Sequence, residues 1–285
     1  MPHLDIITLG GVRASLESNK LADFRTHKVR ALLIFLAVEA LNAHRRETLA
    51  SMFWPDRPEA QARKNLRQSL YCLRNTIEDQ SQSSIHLLSN HNEIQFDPDS
   101  DYNLDVKRFS AHIAAYQEHH PGMRSLCFRC LEKLKAAVAL YGGDFLAGFT
   151  LPGCRQFEWW LLTKQEQYHH QALDALSRLG SYYESIGDHY LVSYYALKEI
   201  ELEPWRETAH RRRMRALNLS GERVEALRQY ESCRAILWHE MQIEPSRQTK
   251  DLFEMIRSGS TPFVEIARLG KFQEHFEREF KMALL

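Results

Sequence analysis

The chain has 285 residues with 44% apolar content, 37 Lys+Arg against 37 Asp+Glu and a formal net charge of zero. At roughly 150 residues per domain this length points to two domains with ample core material, and the balanced charge removes any whole-chain argument for nucleic acid. No apolar run of about 18 residues occurs and MPHLDIITLGG is no secretory leader, so no membrane partner is expected and the chain reads as cytoplasmic.

The first elements are small strands. Leu4 to Leu16 alternates loosely around Gly10-Gly11, and a second short segment near Leu21 to Phe24 follows a turn at Glu17-Ser18-Asn19. Gly10-Gly11 opens no GxGxxG and precedes no helix, so it reads as a bend or bulge rather than a phosphate loop. Thr26 is placed to cap a helix whose Val29, Leu32, Leu33, Leu36, Ala37 and Ala40 recur at helical spacing. A second helix, Arg46 to Phe53, stops at Trp54-Pro55, because the residue before proline is driven out of the α region.

The helix that follows is the chain's most informative element. Leu66, Leu70, Leu73 and Ile77 fall on one narrow face, Lys64, Gln68, Tyr71 and Asn75 point away from it, and Arg63, Arg67 and Arg74 flank one edge. Long cations, an amide and a phenol are the groups that reach phosphates and base edges from a helix in the major groove. Asp56, three residues before Glu59, makes a capping-box-like start. The cations of residues 24–77 outnumber the acids Glu39, Glu47, Asp56 and Glu59, so this segment is basic although the chain is not. After a polar break at Asp79 to Ser84, Ile85-His86-Leu87-Leu88 and Glu93-Ile94-Gln95-Phe96 flank Ser89-Asn90-His91-Asn92 as a hairpin. Strands, three helices and a closing hairpin make a winged helix-turn-helix, in which the third helix enters the major groove and the hairpin is the wing.

From Asp101 the pattern becomes helix after helix, beginning with Val106, Phe109, Ile113 and Tyr116. Gly187-Asp188 recurs as Gly221-Glu222 with a period of about 34 residues, and Tyr183, Pro204, Ala226 and Tyr230 sit at positions suited to tetratricopeptide-like hairpins. The expected fold is mostly α, with small antiparallel sheets and three helices in a winged helix-turn-helix at 1–98, an all-α repeat-like domain at 101–257 and a C-terminal tail at 258–285.

Other clusters read as structural. Cys127-Phe128-Arg129-Cys130 with His119-His120 upstream has zinc-like spacing but lacks a second pair, so it reads as two cysteines one turn apart on a helix, buried as small apolar groups. The five cysteines fit reduced thiols better than a disulfide framework. Arg211-Arg212-Arg213 with Arg215 reads as a solvated girdle with some salt bridges. Trp159, Trp160, Tyr182, Tyr183, Tyr190, Tyr194, Tyr195 and Trp205 read as filling between helix pairs. No nucleophile elbow, Ser/His/Asp order or carboxylate cluster emerges, so no catalytic, metal or cofactor-binding residue is assigned and the chain is not read as an enzyme.

Leu9-Gly10-Gly11, Lys28-Val29-Arg30-Ala31-Leu32-Leu33, Arg45-Arg46-Glu47, Trp54-Pro55, Pro58-Glu59-Ala60-Gln61-Ala62-Arg63 and Leu66-Arg67-Gln68-Ser69-Leu70 resemble the SARP (Streptomyces antibiotic regulatory protein) class of bacterial transcriptional regulators. From Asp101-Tyr102, through Tyr141-Gly142-Gly143-Asp144-Phe145-Leu146 and Glu158-Trp159-Trp160, to Tyr230 and Glu244-Pro245-Ser246, the chain is similar to the bacterial transcriptional activator domain that accompanies that class. The resemblance implies an activator whose tandem copies occupy direct repeats in promoter DNA and contact RNA polymerase. It places Lys64, Arg67, Gln68 and Arg74 toward DNA and the Trp54 to Pro58 loop, with Asp56 and Arg57, near the polymerase. The helical wheel adds Arg63, Tyr71 and Asn75 to the DNA-facing set, and the helical domain is the expected site of homodimerisation. Members often continue into a nucleotide-binding module; Thr261-Pro262-Phe263-Val264 is similar to its entrance, but no GxxxxGK[ST] follows. The alternative reading is a protein-interaction scaffold whose winged domain does not bind DNA.

Overall fold

The computed structural model describes residues 3–17, 19–21, 24–79, 86–119 and 126–259. The expectations for Ser18, Ala22 and Asp23 in the middle of the second short segment, Ile85, most of the polar break, His120 and the tail beyond 259 lie outside the described residues. By compactness the chain forms two units, 1–116 with 136–172, and 117–135 with 173–285.

In the first unit, β1 (Leu4–Ile7), β2 (Arg13–Leu16), β3 (Asn19–Lys20) and β7 (Tyr102–Leu104) form a sheet of order β3-β2-β1-β7. β1 and β2 are antiparallel, with Leu4 opposite Leu16 and Ile6 opposite Ala14. β7 lies parallel to β1, a pairing the sequence did not announce. Just past β7, the buried Asp105 carboxylate accepts from Thr8 N (2.8 and 2.9 Å), Thr8 Oγ1 (2.6 Å) and Leu9 N (2.8 Å). This carboxylate satisfies backbone donors left over where β1 ends, which would be costly to bury alone.

Thr26 caps α1 (His27–Val38) as expected, its side chain accepting from Val29 N at 3.2 Å. Residues 31–37 are all buried, so α1 is apolar nearly all round and forms the axis of the core. Around it lie α2 (Arg46–Phe53) and α3 (Glu59–Thr76), together with a sheet of order β4-β6-β5 made from β4 (His44–Arg45), β5 (Leu87–Ser89) and β6 (Glu93–Phe96). Asn90 Oδ1 accepts from Asn92 N and Glu93 N at 2.8 Å and sets the hairpin turn. Fully buried Phe53, Phe96, Phe109, Phe145 and Phe157 join strands and helices of this unit, each burial stabilising by about 1.5–3 kcal/mol.

Helices α4 (Asp105–His119), α5 (Phe128–Leu140) and α6 (Arg155–Ile186) each carry residues of both units. In the second unit, α7 (His189–Leu202), α8 (Glu207–Leu219), α9 (Arg223–Met241) and α10 (Arg247–Ser258) continue the chain as helical hairpins. Gly187 and Gly221, one period apart, both take left-handed φ values (78° and 83°) and end the preceding helix. Tyr183 stacks on Tyr195 (5.5 Å) and Tyr230 on Phe253 (4.1 Å), as the repeat pattern anticipates. The fold is mostly α, a winged helix-turn-helix followed by helical repeats.

Four local expectations need correction. The Asp56 capping box does not form: Pro58 is the N-cap of α3 with no side-chain cap, because the turn holds Asp56 outside the helix and Glu59 turns to Arg63. Trp159 and Tyr190 are 75% and 78% exposed, and Tyr194 and Trp205 are also exposed, so only part of the aromatic set fills interfaces. The Arg211 to Arg213 run is no solvated girdle. Consecutive residues on a helix point about 100° apart, and these three reach three different partners: Thr249 on α10, Glu199 on α7 and Gln229 on α9. Finally, Cys127 precedes α5 and is partly exposed; only Cys130 is buried in the first turn.

Candidate nucleic-acid interface

α3 begins where Trp54-Pro55 has ended α2. The Phe53 carbonyl left open at that end accepts from Lys28 Nζ (2.5 Å) and Cys154 Sγ (3.3 Å), and Lys28 also lies over the Trp54 ring at 5.3 Å. These contacts fix the approach to α3. Ala62, Leu66, Leu70, Leu73 and Ile77 are buried, which clamps one face of the helix and fixes its rotation.

The opposite face is open. Lys64, Arg67, Gln68, Tyr71 and Asn75 are exposed, Tyr71 at 66%. The two flanking arginines behave differently. Arg63, though exposed, is held between Glu47 of α2 (2.6 Å) and Glu59 one turn back (2.5 Å). Arg74 is half-buried and donates to Ser89 Oγ (2.6 Å) and Leu87 O (3.3 Å), with the buried Asp79 carboxylate 3.6 Å away. It braces α3 against the wing strand β5. Burial pushes the Asp79 carboxyl above its ordinary range, and hydrogen bonds from His86 and the charge of Arg74 oppose that shift.

One cation absent from the sequence-based site belongs here. Arg46, at the start of α2, donates from Nε to Asn90 O in the wing turn at 3.0 Å. Its pKa is lowered by burial and then by the nearby charges of Arg74 and Arg67. Arg46, Arg67 and Arg74 therefore share one positive field between α3 and the wing. Arg45-Arg46 is the signal in the sequence for this, but no local spacing ties Arg46 to Asn90, 44 positions further on.

The Trp54 to Pro58 loop presents Pro55, Asp56 and Arg57 to solvent, whereas the Trp54 ring is buried at 9% exposure. A cavity of about 810 Å³ opens beside it, lined by Met52, Asp56, Arg57, Glu59, Gly153 and Arg155 among others. Of the residues expected to meet a protein partner, Asp56 and Arg57 have accessible side chains and Trp54 supports the loop from beneath. Among the described residues no helix is long and apolar enough to cross a membrane.

Residues 104–257 match the model of the bacterial transcriptional activator domain. The fold is similar to that of Mycobacterium tuberculosis EmbR, solved in complex with a low affinity phosphopeptide, with a TM-score of 0.62 at 19% identity over 95% of this chain and 69% of that one. No curated protein matches the sequence.

Proposed function

The chain belongs to the bacterial transcriptional activator domain family, and we propose that it is a sequence-specific, DNA-binding transcriptional activator whose α3 helix enters the major groove. The family is one of transcriptional regulators, not enzymes. The observation that carries the proposal is the division of α3 into a leucine face locked in the core and an outer face of Lys64, Arg67, Gln68 and Tyr71 exposed beside a hairpin. A helix whose rotation is fixed by burial can hold side chains in register with base edges.

In this reading residues 1–98 are the DNA-binding domain and 101–257 the helical activator domain, working in the cytoplasm. Lys64 and Arg46 meet phosphate, Arg67 meets a phosphate or a base edge, Gln68 and Asn75 meet base edges, and Arg63 and Arg74 act through the geometry they hold. Tandem copies on direct repeats pair through the helical domain, and Asp56 and Arg57 face RNA polymerase. Fluorescence anisotropy on the DNA upstream of the protein's own gene tests this. Salt-sensitive binding with a preferred repeated sequence is expected; absence of salt-sensitive binding to every fragment would put the interaction-scaffold reading ahead.

A further inference from the structure

His119 is the last residue of α4, Cys127 immediately precedes α5, and Cys130 lies in the first turn of α5. The His119 Nδ1 atom is 3.2 Å from Cys130 Sγ and 3.6 Å from Cys127 Sγ, and the three ligand atoms all lie within 4.8 Å of one another. We propose that His119 Nδ1, Cys127 Sγ and Cys130 Sγ form a binding site for zinc(II), with water in the fourth position.

The nitrogen–sulfur separations, 3.6 Å to Cys127 and 3.2 Å to Cys130, lie at and somewhat inside the edge of a zinc tetrahedron. With Zn–S of about 2.3 Å and Zn–N of about 2.0–2.1 Å, tetrahedral angles separate N from S by about 3.6 Å and S from S by about 3.8 Å. Two thiolates and an imidazole select zinc and similar borderline or soft ions over magnesium or calcium, which require oxygen. Two thiolates also cancel the charge of the ion, so a site half sunk in the protein surface carries no net charge. His119 is exposed and Cys127 partly so, which leaves the fourth face open to water.

A Cys-x-x-Cys pair by itself serves a disulfide equally well. The imidazole decides between them, because a disulfide has no use for a third donor directed at both sulfurs from another helix. The backbone contributes as well: Cys130 N–H donates to Cys127 Sγ at 3.4 Å. Binding displaces the thiol protons to solvent as the two Zn–S bonds form. The coordinated ion would tie the end of α4 to the start of α5.

The test uses the untagged full chain, purified under reducing conditions, incubated with zinc, desalted and measured by mass spectrometry of the metal. One zinc per chain is expected, and cobalt(II) in its place should give thiolate charge-transfer absorption. His119→Ala, at an exposed position that leaves the core intact, should weaken zinc binding by about 100-fold, one ligand's share of the total. Cys127→Ser with Cys130→Ser should abolish the cobalt band while Cys72, Cys154 and Cys233 remain. No retained zinc and no cobalt band in the reduced wild-type chain would overturn the proposal, as would zinc that both variants retain as tightly as wild type.

Discussion

The Arg212 guanidinium donates to the Glu199 carboxylate at 2.5 Å in a place where the Glu199 side chain is only 1% exposed. Arg206 lies 3.5 Å from the same carboxylate, and Arg212 reaches on to Ser181 (2.9 Å) and Glu184 (3.5 Å) on α6. One arginine of α8 therefore joins α6 and α7. Burial raises the Glu199 pKa although both guanidinium groups pull it down, so the ion pair leans heavily on its partners. Arg212→Ala should lower unfolding free energy by about 3 kcal/mol, because it leaves the buried carboxylate with the more distant Arg206 as its remaining cation. Replacing the pair together, Arg212→Met with Glu199→Leu, should cost much less, and urea denaturation of the three proteins measures the difference.

Arg67 and Arg63 are both exposed cations of α3, yet they should behave differently on DNA. Arg67→Ala is expected to weaken promoter binding and lower the salt slope by about one unit if it meets a phosphate, or to cost about 1–3 kcal/mol at one base position if it reads a base. Arg63 is already held by Glu47 and Glu59. Arg63→Ala should change affinity by less than Arg67→Ala, as anisotropy titrations at several salt concentrations will show; equal losses would mean Arg63 leaves its carboxylates on binding.

Gly10 has φ of +86°, and a Cβ there would lie 2.6 Å from the Gly142 carbonyl oxygen. Backbone cannot yield as a flexible side chain does. Gly10→Ala should therefore destabilise by more than the roughly 1 kcal/mol that a positive-φ alanine alone costs, whereas Gly11→Ala, at φ of +133° but with open space around it, should carry backbone strain without the clash and cost less. Thermal unfolding of both variants checks the order.

His210 is buried, its Nε2 bonded to Pro204 O at 2.8 Å and its Nδ1 to Gln229 Nε2 at 2.7 Å, which is the pattern of a neutral ring. Burial lowers its pKa, with Arg213 adding to that shift while the Pro204 and Gln229 contacts and Glu207 oppose it. The unfolded chain thus binds a proton more readily than the folded one. The contribution of His210 to stability is complete above about pH 6.5 and is lost as pH falls below that value. Urea midpoints from pH 7.5 to 5.5 should fall in the wild type, and His210→Gln should flatten that fall.

Local periodicity made much of the fold legible. The Leu66, Leu70, Leu73 and Ile77 stripe, the Thr26 cap, the Trp54-Pro55 stop, the wing residues Glu93 to Phe96 and the Gly187 to Gly221 period all appear in the structure where the sequence puts them. Each depends on residues a few positions apart, whose geometry the backbone itself imposes at 3.6 or 2 residues per repeat. What only the tertiary structure decided was how each polar group is spent. Asp105 meets Thr8 across 97 positions, Arg46 meets Asn90 across 44, Arg74 turns from the DNA face to Ser89 in the wing, and His119 reaches the two sulfurs beyond the end of its own helix. Such pairings depend on chain closure bringing distant groups together. A charge pattern along one helix can say which side chains face outward, but only the folded neighbours determine which of them are already engaged.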